Sequence, residues 1–159
     1  MSDTKVITYA VAIEAINEAL TQFEKNYPVD EEVMNVVRIA VNNDLQPRDY
    51  LMGITTEGRF TKDVVTRFVR YAIRNTQEES HKIHLLLVLA TYLYGEDTEG
   101  AYEALNASRT IKETSLAILL GRVFGSGWPS QAFEAMRHEL HPKVVQGMKD
   151  DSTFEIPAN

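Results

Sequence analysis

The chain contains no cysteine. That absence removes disulfides, thiolate zinc sites and cysteine nucleophiles, and leaves a protein able to fold in a reducing compartment. Basic charge is also scarce, with 16 Lys and Arg against 23 Asp and Glu and a net charge of −7. Phosphate attraction scales with the positive charge presented, so broad polyanion binding is not expected. Long apolar runs are missing too. The longest, near residues 83–93, is well short of the about 20 residues a membrane span takes, and Glu78, Glu79, Glu96 and Asp97 flank it. The opening Met1-Ser2-Asp3-Thr4-Lys5 lacks the basic and then apolar pattern of a secretory leader. The expectation is a cytoplasmic protein with no membrane partner.

Catalytic signatures are absent as well. There is no Gly-x-Ser-x-Gly elbow, no Gly-x-x-x-x-Gly-Lys phosphate loop and no Gly-x-Gly-x-x-Gly. Gly125-Ser126-Gly127 has none of the flanks those motifs need and reads as a turn. The acidic pairs Glu31-Glu32, Glu78-Glu79 and Asp150-Asp151 fall at helix starts or in the tail, where solvated carboxylates are ordinary. The expectation is therefore no enzyme, no catalytic residues and no cofactor.

What the chain does have is a stretch from 83 to 124 around which the rest is organised. Residues 83–94 are apolar on nearly every side, and a helix of that kind must be covered all round. The run breaks at Gly95, restarts over Gly100-Ala101-Tyr102-Glu103-Ala104-Leu105, and is answered by Leu116-Ala117-Ile118-Leu119-Leu120-Gly121-Arg122-Val123-Phe124.

Helical periodicity extends through most of the sequence. Ala12, Ile13, Ile16, Ala19, Leu20 and Phe23 fall on one face of a helix over 9–25. Asp30 caps a second, to 42, with Glu31 and Glu32 at its positive end. Pro47 suits the first turn of a short helix to 52, and a glycine-bounded loop over 53–58 follows. Thr61 caps a fourth helix to 74. The central helix starts at 78 or 80 and ends at 94, with further helices over 97–107, 113–124, from Pro129 to 138, and 142–148. The composite is an all-α domain of seven to nine helices over 1–149, with a loose tail over 150–159.

An internal echo sets the C-terminal half apart. Residues 86–94 align with 116–124, and Ala101-Tyr102-Glu103-Ala104-Leu105 aligns with Ala132-Phe133-Glu134-Ala135-Met136. Each unit is an apolar helix, a glycine turn and an alanine-bearing helix, which predicts two similar hairpins.

Arg48-Asp49, the run 85–90 leading to Gly95 and Asp97, Ala101, Ala104-Leu105, Leu116-Ala117 and Gly127-Trp128-Pro129 resemble the C-terminal helical part of the actinobacterial domain-of-unknown-function family 4192, which also occurs in the phages of those bacteria. The resemblance covers roughly 32–140. This chain has Thr110-Ile111-Lys112 where the family has a Pro-Gly turn, and its proline follows the tryptophan rather than preceding it. The resemblance implies a helical fold and transfers no site residue.

Three constellations are candidates for function. All four histidines fall in two His-x-x-His pairs, His81 with His84 and His138 with His141, and Glu78 precedes His81 by three. Helical carboxylate di-metal sites need a second Glu-x-x-His, and Ala135 occupies that place, so no metal ligand is assigned. Arg67, Arg70 and Arg74 form one stripe on the fourth helix. The segment 59–74 holds five basic residues against Asp63, which is +4 and leaves −11 for the rest of the net −7. An acidic partner suits that stripe; nucleic acid is the runner-up, because the stripe lacks base-reading Asn, Gln and Ser. Aromatics gather near the two glycine turns, and Tyr94 and Trp128 are the candidate partner anchors there. The expected function is a non-enzymatic interaction module that docks a protein partner or a second copy through Arg67, Arg70, Arg74, Trp128 and Tyr94.

Overall fold

A computed structural model describes residues 4–157. Its fold is all-α, with nine helices and one two-stranded ribbon among the described residues. Strand β1 (Thr4–Thr8) runs into α1 (Tyr9–Glu24), followed by α2 (Glu31–Asn43), α3 (Leu45–Gly53), α4 (Lys62–Arg74), α5 (Ile83–Leu93), α6 (Thr98–Leu105), α7 (Arg109–Lys112), α8 (Ser115–Gly125), α9 (Ser130–Asp151) and β2 (Thr153–Pro157). No described helix is long and apolar enough to cross a membrane.

The starts of most helices follow from side chains that satisfy the first, unpaired N–H groups. Thr8, Asp30, Asp44, Thr61, Asp97, Ser108 and Thr114 each accept a hydrogen bond from a backbone N–H in the first turn of the helix they precede. Asp44 both ends α2 and caps α3, so those two helices join without a loop.

Helix α5 is the centre. Every residue from Leu87 to Leu93 is buried, with α2, α3, α4 and α6 packed around it. It starts at Ile83, with its apolar run, rather than at 78 or 80 as expected, because Glu79–His81 forms a separate 3₁₀ turn. Helix α9 runs on where two helices were expected. Pro142 lies inside it and removes one N–H from the ladder without ending the helix.

The loose tail is a correction. Residues 150 and 151 belong to α9, and 153–157 form β2, antiparallel to β1 with Ile7 opposite Phe154 and Lys5 opposite Ile156. Alternation explains it: Phe154 and Ile156 point inward and are buried, and the Phe154 ring stacks on Tyr9 with centroids 4.9 Å apart. Positions 158 and 159, like 1–3, lie outside the described residues.

Candidate docking groove

The two echoing units do not pack alike. In the first, α6 lies closely on α5, and the small Ala101 and Ala104 are buried in that contact. In the second, α8 packs on α5, α6 and α7 while α9 packs on α3. The corresponding Ala132 and Ala135 are exposed. The second hairpin is splayed.

Its two helices meet at the turn end through an aromatic cluster. Tyr94 stacks on Phe124 with ring centroids 4.2 Å apart and 8° between planes, and Phe133 closes on both at 5.6 and 6.3 Å. The Tyr94 hydroxyl donates to the carbonyl of Trp128, so the turn of the first unit holds the turn of the second. Gly127 takes a φ of 73°, a left-handed conformation that glycine adopts without strain, and it sets Trp128 at the mouth of the gap.

Between α8 and α9 lies a groove of about 430 Å³ floored by α3. Leu116, Leu119, Leu120 and Val123 line it from α8, and Phe133, Met136, Leu140 and Val144 line it from α9. Leu119, Leu140 and Trp128 remain 56%, 45% and 42% exposed. Large side chains left in water along one groove are what interaction surfaces show.

Polar groups stand at specific points of this lining. Arg137 is buried on α9; its Nη1 donates to Glu134 at 2.9 Å, its Nη2 donates to the Thr91 carbonyl, and its Nε–H has no acceptor. The guanidinium lies over the rings of Tyr92, at 4.3 Å, and Phe133, at 5.0 Å. Burial lowers the Arg137 pKa and pushes the Tyr92 hydroxyl up to about 12. On α3, Arg48 pairs with Asp49 at 3.0 Å and places Nη1 3.4 Å from His84 Nδ1. Burial raises the Asp49 carboxyl above its ordinary value despite that pair.

His141 fixes α9 to the floor. Its Nε2 lies 2.6 Å from a Glu57 carboxylate oxygen, and a Cβ added at Gly53 would fall 2.5 Å from its Nδ1. Only glycine at 53 lets the imidazole sit that close to α3.

The predicted residues separate in space. Trp128 borders the groove. Tyr94 is 7% exposed, which corrects its reading as a partner anchor: its ring is spent on Phe124 and Phe133, and it positions the Trp128 turn instead. Arg67, Arg70 and Arg74 are exposed on α4, which packs on α1 and α5 rather than on the splayed hairpin. Arg67 donates to Asp63 at 3.0 Å and lies over the Phe23 ring, the ordinary fate of an exposed helical cation.

Neither His-x-x-His pair converges. His81 is exposed in the 3₁₀ turn and His84 faces Arg48 from α5; His138 is exposed and His141 is buried against Glu57. Among the described residues no three potential ligands gather for a metal. Leu119 and Leu140 were the missed residues. Ile118-Leu119-Leu120 carries a signal, since three consecutive apolar residues cannot share one helical face. Arg48 and Arg137 carry none, because nothing local marks an arginine as buried.

No family model, curated protein or solved structure matches the chain. The likeness to family 4192 therefore stands on its short motifs alone.

Proposed function

We propose that this chain is a non-enzymatic interaction module, and that its α8–α9 groove docks an amphipathic helix of a protein partner. The observation that carries the reading is the splayed second hairpin: α8 and α9 are each held by other helices, and the apolar space between them opens between Leu119, Leu140 and Trp128. A helix laid along such a groove buries apolar residues at i, i+3, i+4 and i+7, the recurring mode of helix-in-groove recognition. A cysteine-free chain suits such docking in the reducing cytoplasm. A second copy of the chain is another helical occupant of the same chemistry.

The test compares retained proteins. Leu119→Asp and Leu140→Asp change exposed positions and leave the helical circular-dichroism signal and the melt unchanged. Any protein that wild type retains through the groove is lost with both variants. The same set retained by wild type and variants, with light scattering showing a monomer throughout, contradicts the reading. Nucleic-acid binding through Arg67, Arg70 and Arg74 is the alternative, and reversal of all three to Glu measures it by column retention.

A further inference from the structure

The β1–β2 ribbon has one edge closed to further pairing and one edge open. The Tyr9 N–H donates to the Ser152 carbonyl at 2.9 Å, and the ladder continues antiparallel with Ile7 opposite Phe154 and Lys5 opposite Ile156. Main-chain groups alternate in direction along a strand. Lys5 and Ile7 therefore turn theirs toward β2, and Thr4, Val6 and Thr8 turn theirs to the outer edge of β1. By the same alternation Thr153, Glu155 and Pro157 form the outer edge of β2.

The two edges differ in chemistry. On β2, Pro157 has no N–H to give and Glu155 stands at the centre, and proline and charge are what keep sheet edges unpaired. The outward positions of β1 carry neither. Lys5, the one charge on that strand, turns its main chain toward β2, and Val6 is 58% exposed.

The sequence of β1 is also close to a palindrome. Thr4-Lys5-Val6-Ile7-Thr8, laid antiparallel on a copy of itself about Val6, sets Val6 against Val6 and Thr4 against Thr8 on one face, and Lys5 against Ile7 on the other. Matched valines and threonines are favourable cross-strand neighbours, and no like charges meet. The same operation on β2 sets Glu155 against Glu155, which is unfavourable. Any extended strand satisfies the main-chain groups of β1; a copy of β1 also matches its side chains.

We infer that two copies of the chain associate through β1, forming a four-stranded antiparallel sheet in the order β2, β1, β1, β2 with a two-fold axis at Val6. The two Val6 residues exchange N–H and C=O bonds, and at each end the Thr8 N–H donates to the Thr4 carbonyl of the copy. The assembly stops at two, because the edge left on each side is the one that Glu155 and Pro157 block. So small a contact makes a weak dimer whose population follows concentration. It shares no residue with the α8–α9 groove and is independent of docking there.

Amide hydrogen exchange and light scattering on the full chain, from about 5 µM to about 1 mM to suit a small contact, test this. The Ile7 and Phe154 amides are expected to be protected throughout, while the Val6 amide exchanges freely when dilute and slows as the scattering mass rises toward twice the monomer. Val6→Pro removes an outward N–H and leaves the β1–β2 ladder intact, so it is expected to stay monomeric with Ile7 still protected. Val6→Lys, which sets like charges opposite each other, is the second variant where circular dichroism shows the first unfolded. Glu155→Pro, on the other edge, and Leu119→Asp, in the groove, are expected to dimerise as wild type does. A monomer at the highest concentration, with the Val6 amide exchanging freely, overturns the inference. A dimer that survives in both Val6 variants overturns the assignment to β1, and one lost in Leu119→Asp assigns self-association to the groove instead.

Discussion

The Tyr94 hydroxyl donates a hydrogen bond to the main-chain carbonyl of Trp128, across a sequence separation of 34 residues. The turn of the first hairpin thereby holds the turn of the second in place, and the groove's mouth depends on it. Tyr94→Phe keeps the ring stack on Phe124 and removes only that bond. The expected cost is about 1 kcal/mol in urea unfolding, with a fall in the fluorescence anisotropy of Trp128 as its turn loosens.

Arg137 joins α9 to the central helix through the Thr91 carbonyl and lies over two aromatic rings. Arg137→Ala unpairs that buried carbonyl and leaves a void, at an expected cost of about 3 kcal/mol. Arg137→Lys recovers little of it, because an ammonium is a point charge that cannot span Glu134 and Thr91 together. Denaturant midpoints of the two variants against wild type measure both statements.

His84 makes stability depend on pH. Burial, and then the nearby Arg48 charge, hold its folded pKa below the ordinary 6.5, so the unfolded chain binds the proton more readily. The contribution is fully present above about 6.5 and is lost as pH falls through the lower folded value. Wild type is therefore expected to lose more stability than His84→Asn between pH 7.5 and pH 5, seen as a smaller shift of the urea midpoint in the variant.

Phe154 ties the last strand to the body by stacking on Tyr9, and it is buried. Phe154→Ala is expected to cost about 3 kcal/mol, near the lower end for a buried phenylalanine. Val6→Thr, on the exposed face of β1, is expected to stay within about 0.5 kcal/mol. Hydrogen exchange on Ile7 and Phe154 distinguishes a paired ribbon from a tail.

Much of the fold is legible in the sequence because its signals are local. Cap residues such as Asp30, Thr61 and Thr114 mark helix starts within a turn, and the apolar run 85–93 announces its own burial. What the sequence hides is what depends on distant residues. The five residues of β2 gain order only from a strand at the other end of the chain. Matching alanine patterns in α6 and α9 promise two equivalent hairpins, yet α9 finds a better surface on α3, where Gly53 admits His141. That choice splays the second hairpin and makes the groove. The exposure of Trp128 was readable from its Gly-Trp-Pro turn, whereas the burial of Tyr94 was decided by Phe124 and Phe133, which are remote in sequence.

The central claim is that the α8–α9 groove is a docking site, and site-specific photocrosslinking tests it most directly. A photoreactive side chain is placed at Leu119, at Leu140, and as a control at Tyr27, which is 62% exposed on the α1–α2 loop, and each protein is irradiated in its host cell. The account predicts that Leu119 and Leu140 give the same product, that the crosslinked peptide maps to an amphipathic helix of one protein, and that Tyr27 does not give it. Absence of a product at both groove positions, or the same products at all three, would contradict it.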